Sequence, residues 1–413
     1  MKEYQLTKVR HHFPDNSLKD VVKECRQELK KLSGIIVTNA SIGVGVGSRG
    51  VDNIKAIVRE TIDFIKERGA HPFIIPAMGS HGGATSEGQL EILASYGITE
   101  SSVGVPIRSS MEVVELSGGD TPNPVYMSKP AYESDGVILI NKVKPHTDFR
   151  STYESGLVKM AVIGLGKEHG AAAIHYYGVD GLTNLIPRTA DIIFGTGKIL
   201  GGVALIENAN DKTMMVRAIE GKDILDQEPA LLEIARSNRP DFPVNQIDVL
   251  LVDRMGKNIS GAGIDTNTIG RIKIYGQKEP EKPKIRSIVV ADLTDESHGN
   301  AIGIGLADVI TRRLYNKINF QTTYKNVSTS SFLERGKIPF IAENDYEALQ
   351  LALRNCGVLD PGYERIIRIK DTAHLNELYV SDAILNDIKD NQQIEQLGHK
   401  TYMYDSKKLL IPF

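Results

Sequence analysis

The sequence predicts an α/β protein of two domains, each with a mostly parallel sheet flanked by helices. Short apolar runs typical of buried strands alternate with segments of helical periodicity along the chain. Many of the 38 glycines cluster directly after these runs, where a strand would turn into a loop. A chain of 413 residues has room for two such domains. We expect the active site to lie in the cleft between them.

The first hundred residues show the alternation most clearly. A helical pattern over 18–32 precedes a strand-like run at 34–42, and a second helix is predicted at 51–69. The next strand-like run, 71–79, opens into 80–97, where Thr85 is suited to cap a helix and Gly97 to end it. This β–α–β–α order is typical of a parallel sheet covered by helices. Further strands are predicted at 136–144, 201–208, 247–255 and 285–293.

A polar segment, 235–246, is the best candidate for an inter-domain linker. We therefore expect an N-terminal domain over 1–240 and a C-terminal α/β domain over 241–413, whose last segment could pack back on the first domain. Helices are predicted in the second half at 306–318 and 344–357.

Composition excludes several classes of protein. The net charge of −3 argues against a broad nucleic-acid surface, which would need an excess of Lys and Arg. No apolar run approaches the roughly 18 residues of a membrane span, and the first residues do not resemble a signal peptide, so we expect a cytoplasmic protein. With only Cys25 and Cys356, neither a disulfide framework nor a cysteine-ligated iron–sulfur cluster is expected.

A glycine loop follows the first predicted strand. Gly45, Gly47 and Gly50 form a G-x-G-x-x-G pattern between a strand and a helix, the context of a dinucleotide-binding turn. The acidic residue that usually holds the ribose is missing at the end of the second strand. Ser48 and Arg49, beside a helix N-terminus, would suit an anion instead. A nicotinamide site, another phosphate or carboxylate loop, and a purely structural turn remain open.

Two histidines follow predicted strands. His81 lies between glycines after 71–79, and His146 follows 136–144. Ligands of open parallel sheets bind at the carboxyl ends of strands, where two imidazoles can act as a general acid/base pair. The alternative is that both are loop histidines bonded to backbone.

Lys159 and His175 have less local support. Lys159 lies among small and apolar residues, which disfavour its charged form and can make it a nucleophile; an edge lysine extended to solvent is the alternative. His175 lies in a predicted helix over 167–178, where it is either a half-buried structural residue or a ligand, and His169 competes for any such role. No paired histidine or clustered cysteine spacing indicates an ordinary zinc site.

Five short motifs, in order, resemble the nickel-pincer-nucleotide-dependent lactate racemase family. The similarity runs over about residues 40–180. The motifs are SRG (48–50), GSHGG (79–83), KPH (144–146), SGLVKMAVIGLG (155–166) and IHYYG (174–178).

The resemblance implies a cofactor, a nickel-pincer nucleotide, and a role for each matched residue. Lys159 matches the lysine that tethers the cofactor, and His175 matches the histidine that completes nickel coordination. His81 and His146 match the acid/base pair on opposite faces of the substrate. Arg49 matches the arginine on the substrate carboxylate. The loop near the cofactor phosphate would be formed by Gly45, Gly47, Ser48 and Gly50. The implied activity is inversion of C2 in a 2-hydroxy acid, a small-molecule substrate.

Departures from the family suggest a different substrate. Val46 and Gly50 replace an acidic residue and a proline, and the segment between His146 and Lys159 is longer. The loop 254–271, in the approximate place of the family's substrate-contacting loop, is unusually polar, with Lys257, Asn258, Asp265, Asn267 and Arg271 as candidate substrate contacts. Because buried polar groups need partners, we expect a polyhydroxylated acid such as gluconate and a 2-epimerase activity. A polar surface loop is the alternative.

Other functions stay open on sequence alone. These are a racemase of lactate or another short 2-hydroxy acid, an NAD(P)-dependent oxidoreductase, and a non-catalytic cofactor-binding protein. Retention of both His81 and His146 argues against the last. A homo-oligomer is possible.

Overall fold

The computed structural model describes residues 4–48, 50–330, 332–357 and 362–413. The chain divides into two compact units. We call Pro14–Arg239 the N-terminal unit, and Met1–Phe13 together with Pro240–Phe413 the C-terminal unit. The expected α/β class, with mostly parallel sheets flanked by helices, is confirmed. Within the described residues, no helix is both long enough and apolar enough to cross a membrane.

The first strand, β1 (Gln5–His11), belongs to the C-terminal unit, although the sequence placed 1–240 in one domain. It pairs antiparallel with strands near the end of the chain, and Leu6 and Val9 are buried there. Both side chains pack in the apolar clusters of the C-terminal unit, among residues far along the chain that no local pattern indicates. The last segment, for which packing on the first domain was open, pairs instead with β1, and the start and the end of the chain lie in the same unit.

The N-terminal unit contains a sheet of order β3-β2-β6-β7-β8, parallel except for the last pair. Its strands are β2 (Ser41–Val46), β3 (His71–Pro76), β6 (Gly136–Lys142), β7 (Ile199–Glu207) and β8 (Thr213–Glu220), and a separate hairpin is formed by β4 (Val113–Leu116) and β5 (Val125–Ser128). The helices are α1 (Val21–Leu29), α2 (Ile54–Glu67), α3 (Ser86–Ser95), α4 (Glu100–Val103), α5 (Lys129–Glu133), α6 (Leu157–Lys159), α7 (Lys167–His175), α8 (Gly178–Asp180), α9 (Ile186–Gly195) and α10 (Ile224–Ser237).

Strand β2 differs from its prediction, because it begins later than 34–42 and includes glycines that were assigned to a loop. A Cβ atom at Gly43 would lie 2.5 Å from Cδ1 of Ile75, and one at Gly45 would lie 2.9 Å from Cδ2 of Leu139. The neighbouring side chains occupy this space, so β2 needs glycine at both positions. Packing within the sheet thus accounts for Gly45 without a ligand.

The start of α3 agrees with the sequence. The Thr85 side chain accepts a hydrogen bond from the Gly88 backbone N–H, and Gly97 follows the helix with a φ of +73°. The loop that carries His81 is therefore closed by a capped helix directly after it.

The C-terminal unit contains a larger sheet of order β12-β11-β10-β9-β13-β14-β1-β15, with β16 also paired to β1. Strands β12 to β13 of this order are parallel, and the remaining pairs are antiparallel. The strands are β9 (Gln246–Met255), β10 (Lys284–Leu293), β11 (Val309–Thr311), β12 (Phe340–Ala342), β13 (Ile366–Ile369), β14 (Glu377–Val380), β15 (Ile394–Gln396) and β16 (Thr401–Tyr402). The helices are α11 (Thr266–Ile269), α12 (Arg312–Asn316), α13 (Phe320–Ser330), α14 (Asp345–Asn355) and α15 (Asp382–Ile388).

The predicted helix over 306–318 is wrong in its first part, which forms β11. Val309 and Ile310 pair with β10 and are buried, so tertiary pairing of β-branched side chains overrides the helical spacing. The helix α12 begins only after Thr311, whose hydroxyl caps it by accepting from the Leu314 N–H.

Candidate active site

The candidate site lies at the carboxyl edge of the N-terminal sheet. From β2 the chain proceeds to β3 on one side and returns as β6 on the other, so the loops after β2 and β6 leave in opposite directions. Such a switch in strand order is where open parallel sheets bind ligands. Ser48 follows β2, His81 follows β3 and His146 follows β6. The strand-end positions expected from the sequence therefore share one edge.

The imidazole ring of His81 is held by two contacts of its Nδ1 atom. That nitrogen lies 2.8 Å from the Met78 carbonyl oxygen and 3.0 Å from Oγ of Ser48. Because a carbonyl only accepts, Nδ1 carries the proton, and Nε2 is the acceptor nitrogen of the neutral ring. The side chain of His81 is exposed. This tautomer is the one that a general base at Nε2 requires.

A buried polar network fixes the backbone around His81. The Gln89 side-chain amide donates to the Gly79 and His81 carbonyls, at 3.0 and 3.3 Å. Its carbonyl accepts from Nζ of Lys167 at 3.0 Å, and the same Nζ donates to the Pro76 carbonyl at 2.5 Å. Burial lowers the pKa of Lys167 to about 8. Gln89 thus joins the end of β3 and α7 to the histidine loop.

His146 and Lys159 are in direct contact. Nε2 of His146 lies 2.6 Å from Nζ of Lys159, and both side chains lie beside the Phe149 ring. Burial lowers the pKa of His146 well below its ordinary value, and a charged Lys159 would lower it further. His146 is therefore neutral near pH 7.

The hydrogen bonds of His146 define its tautomer. Its Nδ1 accepts from the Asp148 backbone N–H at 3.0 Å, so the single proton of the neutral ring is on Nε2. Nε2–H then lies against Nζ of Lys159. An amine that accepts from it is uncharged, which is the form in which a lysine is a nucleophile.

A buried carboxylate organises the loop that carries His146. Glu154 accepts from the His146 backbone N–H at 2.6 Å and from the Ser151 N–H at 3.3 Å. It is paired with Arg236 on α10 at 2.5 Å, and the Glu154 side chain has no exposed surface. This is the segment that is longer than in the resembled family. Its extra residues therefore fold around an ion pair rather than project as an open loop.

Lys159 ends α6 and is followed by a π-helical turn, Met160–Gly164. Glu228 accepts the N–H groups of Leu157 and Val158 at 2.5 and 3.1 Å, so its carboxylate caps the helix. Burial raises the pKa of Glu228 to about 7. A Cβ at Gly156 would overlap this carboxylate, which explains the glycine there.

His175 ends α7 and is electrostatically coupled to Lys159 and His146. Its side chain is accessible to solvent but has protein atoms on several sides, and this desolvation lowers its pKa. A neutral imidazole is the form that ligates a metal. The structure therefore brings together His146, Lys159 and His175.

A backbone hydrogen bond and close packing connect this group to the loops after β2 and β3. The Gly79 N–H donates to the Gly164 carbonyl at 3.1 Å. A Cβ at Gly47 would lie 3.1 Å from both Oδ1 of Asn141 and Cε of Met160. The Asn141 amide in turn donates to the Gly156 carbonyl at 2.7 Å. The three strand-end loops thus close around the helix that carries Lys159.

The other expected cofactor-loop residues have mixed placements. Ser48 contacts His81 and accepts from the Tyr96 hydroxyl through its carbonyl at 2.6 Å. Gly50 lies beside the Tyr96 ring, and Gly45 lies inside β2. Arg49, expected to contact the substrate carboxylate, lies outside the residues that the structure describes.

The polar loop after β9 belongs to the C-terminal unit, where several expected substrate contacts have local roles. Asp265 caps α11 by accepting from the N–H groups of Asn267 and Thr268. Arg271 pairs with Asp308 at 2.7 Å and donates to the Leu306 carbonyl. Nζ of Lys257 donates to Asn326, and Asn258 accepts from Thr294. These bonds satisfy Asp265 and Arg271 within their own unit.

The sequence did not indicate the supporting residues Gln89, Lys167, Glu154 and Glu228. Lys167 and Glu228 lie at helical positions where charged residues usually face solvent, so pattern alone assigned them no role. Glu154 was noted only as part of the longer segment. A signal existed at Gly156, a glycine three residues before a predicted reactive lysine, but the reason for this glycine depends on a residue of α10.

Among the described residues, no group of three or more His, Cys, Asp or Glu side chains could hold a metal ion. A metal at His175 would therefore need most of its ligands from elsewhere. A cofactor that brings its own donor atoms and takes one imidazole from the protein meets this condition.

Solved structures share the fold of this chain. The chain is similar to the lactate racemase apoprotein from Thermoanaerobacterium thermosaccharolyticum, with 14% identity, a TM-score of 0.58, and coverage of 89% of this chain and 98% of that one. It is also similar to a crystal structure of a Thermotoga maritima protein, with 14% identity, a TM-score of 0.50, and coverage of 83% and 84%. At this identity the likeness shows the fold.

A family model gives the membership. Residues 47–269 match the family described as a domain of unknown function, DUF362. This match covers more than half of the chain, so the chain belongs to that family. No curated protein matches it in sequence. The matched range includes the loops and helices that carry Ser48, His81, His146, Lys159 and His175.

Proposed function

We propose that this protein is a racemase or epimerase that inverts C2 of a 2-hydroxy acid with a nickel-pincer nucleotide. The observation that carries the proposal is the 2.6 Å contact between Nζ of Lys159 and Nε2 of His146, with His175 electrostatically coupled to both. A nucleophilic amine, an acid/base imidazole and a neutral ligand imidazole then share one edge of the sheet. The fold likeness to a lactate racemase apoprotein supports it.

The two histidines have complementary tautomers. His81 presents Nε2 as an acceptor, because its Nδ1–H donates to Met78. His146 presents Nε2–H as a donor, because its Nδ1 accepts from Asp148. Inversion of a C–O–H centre needs one base to take the hydroxyl proton and one acid to return a proton, with the roles exchanged in the reverse direction. His81 therefore starts as the base, and His146 serves as the acid only in its protonated, imidazolium form, because a neutral imidazole does not give up its N–H proton near pH 7.

The residues present suit the cofactor. Lys159, uncharged, would attach it covalently, His175 would supply one imidazole nitrogen to nickel, and Gly47 and Ser48 would face its phosphate. When bound, the cofactor supplies a reversible acceptor for the C2 hydrogen together with its electron pair. Soft sulfur donors on the cofactor suit nickel in a chain that lacks a protein metal cluster in its described residues.

For the substrate we propose a polyhydroxylated acid such as gluconate, with lactate or another short 2-hydroxy acid as the second candidate. Thr147, Asp148 and Arg150 follow His146 in the longer segment and place hydroxyl, carboxylate and guanidinium groups beside it. A polyhydroxylated acid offers several hydroxyl groups to a polar wall of this kind, whereas lactate offers one.

The test starts from chain produced in a host that makes the pincer nucleotide and purified without oxygen. We expect the intact mass to increase, peptide mapping to place the addition on Lys159, and nickel to approach one atom per chain. Lys159→Arg keeps the size and charge of a basic residue and is expected to lose the covalent addition. Absence of nickel and of cofactor, whether covalent or noncovalent, would contradict the proposal.

A panel of acids then identifies the substrate of the loaded protein. Inversion at C2 is measured by stereochemical analysis of gluconate and of lactate after incubation with the loaded protein. Epimerisation of gluconate with little action on lactate would support the polar pocket. The reverse preference would favour the second candidate.

A further inference from the structure

The C-terminal sheet has its own switch in strand order. From β9 the chain moves outward through β10, β11 and β12, and it then crosses back to place β13 on the other side of β9. The carboxyl ends of β9 and β13 are therefore the position where an open parallel sheet forms a ligand crevice. In the N-terminal unit the equivalent position lies between β2 and β6, next to the loops that carry Ser48 and His146. The residues at the carboxyl ends of β9 and β13 are therefore candidates for a ligand site.

Three polar residues meet there. Arg254 lies near the end of β9 and donates its backbone N–H to the Lys370 carbonyl at 3.1 Å, next to Asp371 just beyond β13. Asp371 is fully buried and accepts from Nε and Nη2 of Arg254, each at 3.3 Å. Its other oxygen lies 2.5 Å from Nδ1 of His374.

The shared carboxylate orients both partners. Because a carboxylate oxygen accepts, Nδ1 of His374 carries a proton, and in the neutral ring Nε2 is then the acceptor. Among the described residues, no side chain or backbone group bonds to His374 Nε2 or to Nη1 of Arg254. The side chains of His374 and Arg254 are 55% and 41% exposed, so both reach solvent while Asp371 holds their inner edges. Asp292, the strand neighbour of Arg254, is already paired with Arg313 and Lys317.

We propose that the C-terminal unit binds, at Arg254 and His374, a small oxyanion that also carries a hydroxyl group. The guanidinium edge of Arg254 takes the anionic oxygen, and Nε2 of His374 accepts the hydroxyl hydrogen. Hydroxycarboxylates and hydrogen phosphate share this chemistry. Asp371 is a positioning residue, since it holds the two side chains that meet the ligand and does not itself meet it. The proposal stands independently of the function proposed above.

Calorimetric titration of the full, cofactor-free chain tests the site. The probes are glycolate, inorganic phosphate, and acetate, which has the carboxylate without the hydroxyl. We expect saturable binding of glycolate or phosphate, with acetate bound at least about tenfold more weakly, because a site built to accept a hydroxyl hydrogen is left unsatisfied by acetate. The stronger of glycolate and phosphate identifies the ligand class.

Variants assign the binding to this place. Arg254→Gln is expected to weaken the preferred probe by about tenfold or more, since a charge-assisted hydrogen bond is lost. Arg312→Gln is the matched control, because Arg312 is also 41% exposed and pairs with a surface glutamate, and it should leave binding unchanged. His374→Gln should reduce the preference for glycolate over acetate. Because His374 is exposed, this variant should fold and still test the site if Arg254→Gln does not fold. The proposal would be overturned by the absence of saturable binding to the unaltered chain. It would also be overturned if Arg254→Gln and His374→Gln both bound the probes as the unaltered chain does.

Discussion

Nζ of Lys159 lies 2.6 Å from Nε2 of His146, and the second nitrogen of that ring already accepts from the Asp148 backbone. In this tautomer the neutral ring presents Nε2–H to the amine. A lysine in water is uncharged in roughly one molecule in a few thousand near pH 7. A Lys159 that accepts from His146 would therefore be in a reactive form that is otherwise rare.

Lys159 should react with amine reagents faster than an ordinary lysine. At pH 7 and limiting acetic anhydride, we expect Lys159 to be acetylated several-fold faster than Lys278, whose side chain is 85% exposed and serves as the internal reference. His146→Ala removes the donor to the amine and should bring the rate at Lys159 to or below that of Lys278. Peptide mapping of a time course measures both rates. Slower labelling of Lys159 than of Lys278 in the unaltered chain would contradict the assigned protonation.

His81 and His146 should each be needed for turnover. In the cofactor-loaded protein, replacing either by Ala is expected to lower kcat by about 10² to 10⁴, the usual contribution of a positioned acid or base. His71→Ala is the control, since His71 is exposed at the opposite, amino end of β3. Nickel content and intact mass, measured on the same samples, separate loss of chemistry from loss of cofactor. Turnover that survives both replacements would remove the acid/base pair from the mechanism.

Sequence patterns predicted the fold class because buried strands appear as apolar runs wherever their partners lie. They failed at β2, since Gly43 and Gly45 have the composition of a loop, and their place in a strand depends on Ile75 and Leu139. They failed again at β11, where pairing with β10 decides between strand and helix. Long-range packing is in each case the information that a local pattern lacks.

The candidate site also has features that local sequence predicts and features that depend on long-range contacts. Strand-end position was enough to place Ser48, His81 and His146 at one edge, because parallel strands align their carboxyl ends. The tautomers of the histidines depend instead on the Met78 carbonyl and the Asp148 N–H, which only the folded backbone positions. Buried supporting groups are likewise defined by contacts between elements that are far apart in the chain.

Gln89 should position His81 through backbone hydrogen bonds. Gln89→Met keeps the size of the side chain but removes two donors to carbonyls and the acceptor for Lys167. We expect the free energy of unfolding to fall by about 1–3 kcal/mol, since buried partners are left unsatisfied. We also expect the pH profile of kcat in the loaded protein to move with the altered His81 loop, an effect that lost stability alone would not produce. Denaturant unfolding and the pH profile provide the two measurements, and an unchanged profile would limit Gln89 to a structural role.

Glu228 should make stability depend on pH. Burial raises the pKa of Glu228 from 4.5 to about 7, so the folded protein holds this proton more tightly than the unfolded chain does. Its contribution to stability is therefore fully present below pH 4.5 and is lost as the pH rises through about 7. Glu228→Gln, neutral at every pH and still able to accept from the Leu157 N–H, should be more stable than the unaltered chain at pH 8, by up to about 3 kcal/mol.

The measurement is denaturant unfolding of both proteins at intervals from pH 5 to pH 8. The difference between them isolates Glu228, because other titrating groups are common to both. Glu233→Gln is the matched control, since Glu233 lies on the same helix with a side chain that is 67% exposed, and it should leave the pH dependence unchanged. A difference that stays constant over this range would mean that the carboxylate is ionised throughout, held by the N–H groups at the start of the Lys159 helix.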